Sequence, residues 1–419
     1  MNVMKALWRW LYGTLAAICV LVLGAVVYCH VTLPDTFTVT AGEALSVGDW
    51  VSVPAGVVKA DSGDEQTAAK ITAGASGEYA APMRLFGIFP IKQVTVSVAD
   101  TPVVTVCGVP FGIKLYTDGV LIVGMSDVNT AAGSANPAAA AGVRIGDTIL
   151  SIDGKTVMTN EEVAAIINAS NGHAVTLRIR RDGVEFDASF IPARPTSGEG
   201  YRAGLWVRDS TAGVGILTFY DDKSGVYAGL GHPVCDADTG QILTLSGGEI
   251  VPARILDVKK SQKGAPGELC GAFEDGTLGA LELNAANGLY GTLTIFPPEG
   301  VRMPLAMKQD VSEGAAQVLT TVDGVTPALY DIMIEHVRYT AANDTRSMVI
   351  KVTDEELLSL TGGIVQGMSG SPIIQNGKLI GAVTHVLVND PTRGYAVFAE
   401  TMLETAQSVA ENNSLKEVS

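Results

Sequence analysis

The chain has 419 residues, more than one hydrophobic core usually serves, which indicates two or three domains. A formal net charge of −16 without any cluster of Lys and Arg argues against a nucleic-acid partner, because phosphate binding needs concentrated positive charge. The 47 glycines predict many turns and short strands, and the five cysteines show no CxxC or metal-site spacing, so no metal or cofactor is expected.

The first long feature is an apolar segment from Trp10 to Val31 that contains no Asp, Glu, Lys or Arg. At 1.5 Å per residue it can cross a hydrocarbon layer of about 30 Å, so one transmembrane helix is predicted over 10–31. Lys5 and Arg9 precede it, which predicts a cytoplasmic N-terminus over 1–9 and export of the remainder. A cleaved signal peptide is the alternative, but the length of the segment and its poor cleavage site at Tyr28-Cys29-His30 favour an anchor.

The next part of the chain, 32–100, alternates in short stretches such as Phe37–Thr40 and is interpreted as a spacer with short strands. Beyond it, Cys235 and Cys270 lie in the part expected to be exported. A disulfide between them is one alternative and two free thiols the other, since sequence does not establish that the thiols meet.

A hairpin-rich domain is predicted over 101–192. Its signals in order are "NPAAAAGVRIGDTILSIDGKTV", a helix at about 160–169, and a hairpin whose turn is Asp182-Gly183. This order resembles the PDZ domains of bacterial exported proteases. The resemblance implies peptide binding by strand addition, with a chain end captured by the backbone of an early turn. The expected binding residues are Val109, Phe111, Gly112 and Ile113. The alternative is a PDZ domain that only packs against its neighbour.

Residues 193–419 follow a Pro- and Gly-rich linker and consist of short apolar strands, which predicts a β-barrel-type domain. Near its end, Gly367-Met368-Ser369-Gly370-Ser371-Pro372 forms a tight turn before a strand. A serine in such a turn presents its hydroxyl while backbone N–H groups, here those of Gly367 and Ser369, face a developing oxyanion. The motif resembles the nucleophile loop of the chymotrypsin-like serine peptidases, in which the first serine is the nucleophile. That resemblance places the nucleophile on Ser369 and not on Ser371.

A nucleophilic serine needs a base, and His232, directly after a predicted strand, is the expected one. His30 lies at the membrane and His173 in the PDZ-like region, while His336 and His385 lie in or at the end of apolar strands and are interpreted as structural.

The orienting carboxylate of a triad can come from any loop that reaches the imidazole, which leaves Asp257, Asp275 and Asp354 open. Asp354 has a structural alternative at a helix N-terminus, with Thr353 and Glu356 as a capping box.

A closer resemblance rests on "GLGHPVCDADTG" (229–240), on "GGIVQGMSGSPIIQNGKLIGAVTHVLVNDPTRGYAVFAE" (362–400), and on the PDZ-like region and anchor. These features resemble the stage IV sporulation protein B peptidases of endospore-forming bacteria. The resemblance implies His232 as base, Ser369 as nucleophile and Asp354 as the third triad residue. It implies a mainly β fold: one transmembrane helix, a PDZ domain, then a chymotrypsin-like β-barrel peptidase domain.

For biology, the resemblance implies a signalling protease in the space between the two forespore membranes. Its expected substrates are a membrane-embedded regulator of an intramembrane protease, whose release leads to sigma-factor processing, and the protease itself. Two alternatives stay open: a non-catalytic PDZ adaptor, and a general quality-control protease, in which the catalytic domain commonly precedes the PDZ domain.

Overall fold

The computed structural model of the chain describes residues 2–40, 46–47, 50–52, 77–339 and 344–418. It begins with one long helix, α1 (Asn2–Thr32). Within the described residues, its part Trp10–Thr32 is the one helix long and apolar enough to cross a membrane, extending about 35 Å at 1.5 Å per residue.

A small sheet, here called the N-terminal sheet, follows α1 and takes the place of the expected spacer. Its strands are β1 (Thr36–Thr40), β2 (Ser46–Val47), β3 (Val51–Ser52), β4 (Gly77–Leu85) and β5 (Phe89–Ala99). The order is β1-β5-β4-β3-β2, with β1 parallel to β5. Phe37, Met83 and Val94 form part of its core, so this region has its own hydrophobic interior. The other residues of the expected spacer, 41–45, 48–49 and 53–76, lie outside the described residues.

The next part of the chain contains a compact unit and consists of eight strands and two capped helices. They are β6 (Val103–Val106), β7 (Pro110–Met125), β8 (Val128–Thr130), β9 (Gly133–Ala135), α2 (Pro137–Ala140), β10 (Thr148–Ile152), β11 (Lys155–Thr156), α3 (Asn160–Ala169), β12 (Val175–Arg181) and β13 (Val184–Phe190). The predicted helix over 160–169 is confirmed. Thr159 and Glu162 form a capping box at its start, which satisfies backbone N–H groups that a helix end leaves free.

The strands that follow β13 form a barrel with β7. They are β14 (Leu205–Tyr220), β15 (Val226–Gly229), β16 (Leu245–Lys259), β17 (Glu268–Phe273), β18 (Gly279–Ala280), β19 (Leu283–Ala285), β20 (Gly288–Thr292) and β21 (Val301–Pro304). β7 pairs with β14 and β16, β15 pairs with β14 and β20, and β18 pairs with β16. A bridge between Gly279 and Leu293 returns β20 to β18, so these strands close on themselves.

The second barrel contains β22 (Gly314–Thr320), β23 (Ala328–Val337), β24 (Met348–Val352), α4 (Glu355–Thr361), β25 (Pro372–Gln375), β26 (Lys378–Val386), β27 (Arg393–Phe398) and α5 (Ala399–Val418). Its six strands close in the order β22-β23-β24-β27-β26-β25. One core joins both barrels and α5, with Phe219 from the first, Leu379 from the second and Met402 from the helix. The mainly β architecture predicted from the sequence is therefore present.

The structure corrects the expected start of the PDZ domain at residue 101. β6 pairs with β14 and β21, and the first half of β7 pairs with β14 and β16, so both belong to the first barrel. β7 and β14 pair from Pro110–Ile216 at the barrel to Leu205–Met125 at the other end. The PDZ-like unit is thus an insertion between two uninterrupted strands of the barrel and does not precede the barrel in the chain.

Candidate active site and peptide groove

The turn Gly367–Ser371 gives its two serines opposite environments. Ser369 is partly exposed, and its hydroxyl donates to the Thr384 carbonyl of β26 at 2.8 Å. Ser371 is fully buried and hydrogen-bonds to the Met368 carbonyl and to the Thr320 hydroxyl. Ser371 therefore fixes the turn, while Ser369 is the serine that a substrate can reach.

The first barrel holds this turn in place through backbone contacts. The Ile216 N–H of β14 donates to the Ser369 carbonyl at 2.9 Å, and the Thr218 hydroxyl donates to the Gly370 carbonyl at 2.7 Å. A Cβ on Gly370 would overlap the Ile216 carbonyl oxygen, and its φ of +92° favours glycine. Gly370 is therefore required for the approach of the two barrels.

Two backbone donors of the turn are free for a ligand. In the described part of the chain, the N–H groups of Gly367 and Ser369 have no hydrogen-bond acceptor, whereas Gly370 donates to Val383 and Ser371 to Met368. A free N–H on the nucleophile itself and another just before it are the kind of donors that an oxyanion site needs.

His232 reaches the same place from the first barrel. It follows β15 through Leu230 and Gly231, both with positive φ, and a Cβ on Gly231 would touch the Thr384 side chain at 3.0 Å. Its Nδ1 is 2.8 Å from the Pro233 carbonyl, which only accepts, so Nδ1 carries the hydrogen and Nε2 is the basic nitrogen of the neutral ring. Burial lowers the pKa of His232, partly offset by the hydrogen bond to Pro233.

His385, which the sequence analysis interpreted as structural, lies beside the expected base. The two imidazole rings are 4.8 Å apart between centroids, and His385 Nδ1 is buried without a hydrogen-bond partner among the described residues. Burial, followed by the neighbouring His232 and Arg346, lowers the pKa of His385 to about 4, so its ring is neutral at pH 7. Ser369 and His232 thus contact neighbouring residues of one segment, Ser369 the Thr384 carbonyl and His232 the His385 ring.

The structure does not bring Asp354 to this place. Asp354 caps α4: one carboxylate oxygen accepts from Leu357 N–H at 2.9 Å and the other from Asp331 N–H at 3.2 Å. Among the described residues, no carboxylate hydrogen-bonds to His232. Thr345 lies beside Thr384, because its carbonyl accepts from the Thr384 hydroxyl, and it precedes β24. Asp354 follows β24, so a strand about 13 Å long separates Asp354 from Thr345.

The expected capping box at this helix also changes by one residue, since Asp354 and not Thr353 is the N-cap. The other carboxylate candidates, Asp257 and Asp275, are exposed, and Asp257 accepts the N–H of Val258. His336 is exposed on β23 and pairs with Glu313 at 3.2 Å. Cys235 and Cys270 are two free thiols.

The expected peptide-binding turn of the PDZ domain is wrong. Val109, Phe111 and Ile113 are buried in the core of the first barrel, and Gly112 pairs there with Val214 and Val251. They cannot receive a peptide because their backbone and side chains are already used. The sequence predicts the turn and strand of this motif, but it does not predict which strands they pair with.

A groove elsewhere in the inserted unit fits a peptide better. A cavity of about 730 Å³ lies between α3 and the start of β14, and its lining includes Ala164, Ile167 and Trp206. Over Leu205–Arg208 the described pairing of β14 is with β7 on one side only, so its other edge faces the cavity. A strand edge beside a helix is the arrangement by which an extended peptide is bound by strand addition.

The polar groups of this groove face the same cavity. In the described ranges, the N–H groups of Ala203 and Gly204, just before β14, have no acceptor. Asn160 Oδ1 is buried without a partner and belongs to the lining. This loop, and not Val109–Ile113, is placed to receive a chain end.

Comparison with known proteins finds two family models that match parts of the chain. Residues 199–403 match the family SpoIVB peptidase S55, and residues 130–181 match a PDZ domain family. The two segments are thus similar to a SpoIVB-type peptidase and to a PDZ domain.

Individual relatives are similar to only part of the chain. A protein of Agrobacterium fabrum named as a zinc metalloprotease is 29% identical over 113 residues, 26% of this chain. The chain spans 28% of the length of that curated relative.

Among solved structures, the Rv3671c protease of M. tuberculosis in its active form is 13% identical, covering 48% of this chain and 74% of that one, with a TM-score of 0.28. The HtrA-type protease AlgW with a decapeptide is 15% identical, covering 52% and 56%, with a TM-score of 0.29. The PDZ domain of an SdrC-like protein of Listeria monocytogenes is 20% identical, covering 22% and 87%, with a TM-score of 0.18.

Proposed function

We propose that the protein is a membrane-anchored, exported serine endopeptidase in which Ser369 is the nucleophile and His232 the general base. The observation that supports this most strongly is that Ser369 contacts Thr384 and His232 contacts the adjacent His385, in the turn region where the N–H groups of Gly367 and Ser369 have no acceptor among the described residues. Asp354 is left out of the catalytic set because its carboxylate is engaged at α4.

Acylation uses the groups in this order. Ser369 Oγ turns from the Thr384 carbonyl toward His232 Nε2, gives up its proton there and attacks the substrate carbonyl carbon. The N–H groups of Gly367 and Ser369 stabilise the oxyanion of the tetrahedral intermediate. His232 then donates the proton to the leaving amine, and water hydrolyses the acyl-enzyme by the same route. The Pro233 carbonyl orients the imidazole in the role that a carboxylate has in a triad.

The PDZ domain supplies substrate selection in this proposal. A peptide that adds to the edge of β14 beside α3 is held on a strand that continues to Ile216, which bonds the nucleophile turn. The family description and the anchor support a membrane-embedded regulator of an intramembrane protease as substrate, in sporulation signalling that leads to sigma-factor processing. Cleavage of the chain itself, and a location between the forespore membranes, belong to the same proposal.

The test is a comparison of Ser369→Ala with Ser371→Ala in the purified full chain. We expect Ser369→Ala to fold normally and to lose cleavage of a protein substrate and of itself, by a factor on the order of 10⁶ in kcat. Ser371→Ala should lose stability, because a buried hydroxyl with two hydrogen bonds is removed, and should cleave in proportion to its folded fraction. Normal turnover by Ser369→Ala, followed by gel and mass spectrometry of the cleaved termini, would refute Ser369 as the nucleophile. Absence of any cleavage by the unaltered chain would instead leave a non-catalytic adaptor.

A further inference from the structure

The turn between β4 and β5 exposes a group of large apolar side chains. Phe86 is 51% exposed, Ile88 71% and Phe89 40%, and Trp50 beside them is 64% exposed with its ring 5.3 Å from that of Phe86. These four residues are here called the apolar tip. Exposed aromatic and aliphatic side chains gathered at one hairpin end mark an interaction surface and not a feature of the core.

Contacts between α1 and β5 place this tip relative to the anchor. Thr95 N–H donates to the Asp35 carbonyl, Lys92 Nζ donates to the Leu33 carbonyl, and the Ile91 carbonyl is 3.2 Å from His30 Nδ1. Each step back along β5 therefore corresponds to a step back from β1 into α1. Phe89 and the turn before it continue in the same direction, beside the apolar segment that ends at Thr32.

The position of the apolar tip along α1 follows from the rise per residue of a β-strand. Ile88 lies three residues beyond Ile91, or about 10 Å further along the strand direction. Ala25, Val26 and Cys29 of α1 pack against the core of the N-terminal sheet, so the sheet overlaps the last two turns of the apolar helix. Ile91 is level with His30, two residues before the end of the apolar segment, so a bilayer that accommodates Trp10–Thr32 has the apolar tip among the outer acyl carbons of one leaflet.

The charges around the tip agree with this position. The stretch from Arg84 to Lys92 contains these two cations and no acidic residue, and Lys92 is paired with Asp35, which leaves Arg84 as the cation beside the tip. Arg84, opposite Pro90, is exposed one step behind the tip, where a long cationic side chain can reach phosphate headgroups while its stem stays in apolar surroundings.

We propose that the apolar tip inserts just below the headgroups, among the outer acyl carbons of the leaflet that the N-terminal sheet faces, as a second attachment beside α1. The occupant of this surface is the lipid bilayer. The inference rests on α1 being the anchor, and it adds that the N-terminal sheet is seated on the membrane and does not swing freely on a single helix. Aromatic side chains are favoured at this depth because their rings suit the boundary between headgroups and acyl chains.

The experiment uses the full chain reconstituted in phosphatidylcholine vesicles and tryptophan fluorescence as the probe. The chain has four tryptophans, Trp8, Trp10, Trp50 and Trp206, and variants keep one of them while the others become Phe. With Trp50 alone, we expect a blue-shifted emission that lipids brominated at shallow acyl positions quench at least twofold. Trp206, exposed in the PDZ domain, is the matched control and should stay unquenched.

A second pair of variants tests the tip itself. Phe86→Ser with Ile88→Ser in the Trp50-only chain should remove the quenching, while Ile191→Ser, an exposed isoleucine far along the chain, should leave it unchanged. An unquenched Trp50 together with a quenched Trp10 would overturn the proposal and keep the anchor. An unquenched Trp10 would overturn the anchor and the tip together. A blue-shifted Trp50 that brominated lipid does not quench would show a protein partner or a second copy on this surface, and would also overturn it.

Discussion

His232 works in surroundings that disfavour its charged form. Burial lowers its pKa, and its neighbour His385, with a pKa of about 4, adds no charge near neutral pH. A base that is already neutral at pH 7 accepts the Ser369 proton without first losing one of its own. The ring is oriented by a backbone carbonyl, which cannot change its charge with pH.

This gives a pH prediction. Cleavage should require neutral His232, so kcat/KM should rise with pH through a midpoint below the ordinary value of about 6.5 and then stay level. Because both depressed histidines bind fewer protons folded than unfolded, stability should fall as pH drops below about 6.5 toward 4. Rate profiles and chemical denaturation between pH 4 and pH 8 measure the two effects. His336→Ala is the control and should leave the rate profile unchanged, and a midpoint above 6.5 would contradict the assignment.

Asp354 gives a second prediction at the residue scale. As an N-cap, Asp354→Asn should be nearly silent in rate and stability, while Asp354→Ala should cost about 0.5–2 kcal/mol of unfolding free energy. Denaturation midpoints and kcat of the two variants, with Asp257→Asn as control, decide it. A folded Asn variant with a sharp loss of kcat would show instead that this carboxylate reaches His232 during turnover.

At the scale of elements, the nucleophile turn depends on how closely the two barrels approach. Gly370→Ala should unseat the turn from β14, since its Cβ would overlap the Ile216 carbonyl and meet the Leu230 nitrogen at 2.5 Å. Gly377→Ala is a matched control, because Gly377 also has positive φ but nothing lies within 4 Å of its Cβ. We expect Gly377→Ala to cost about 1 kcal/mol and keep its activity, and Gly370→Ala to lose activity and more stability. Equal effects of the two changes in thermal melts and cleavage assays would contradict this account.

The elements also show how far the sequence could predict the structure. The long apolar helix α1, helix α3 and the turn with Ser369 follow from local patterns, so they were predictable. Phe111 was assigned to a PDZ turn because alternating hydrophobicity predicts a strand but not its partners. β7 pairs with β16 in the first barrel and with β10 in the inserted unit. His385 was missed because a histidine ending an apolar strand carries no signal of the ring beside it. Asp354 fits both a helix cap and a triad in sequence, and only the fold separates the two.

At the scale of the whole molecule, hydrogen bonds and packed contacts, more than linkers, hold the N-terminal sheet, the two barrels and α5 together. Lys92 ties the N-terminal sheet to the end of α1, and Gln309, before the second barrel, donates to the Thr38 carbonyl of that sheet. Helix α5 packs on both barrels through a shared core. The orientation of the active site relative to the anchor is therefore set by packed contacts.

In the proposed function, the uninterrupted strand β14 sets a minimum length for the substrate. From Val207 at the peptide groove to Ile216 at the nucleophile turn, nine residues of strand extend about 30 Å. An extended substrate held at both places needs at least about nine residues between its captured end and the bond that is cut. Peptides with the same captured end and spacers of four to fourteen residues should show KM falling once the spacer passes that length. Blocking the groove with Ala164→Arg should erase the dependence, and a flat dependence in the unaltered enzyme would mean that the two sites act on separate molecules.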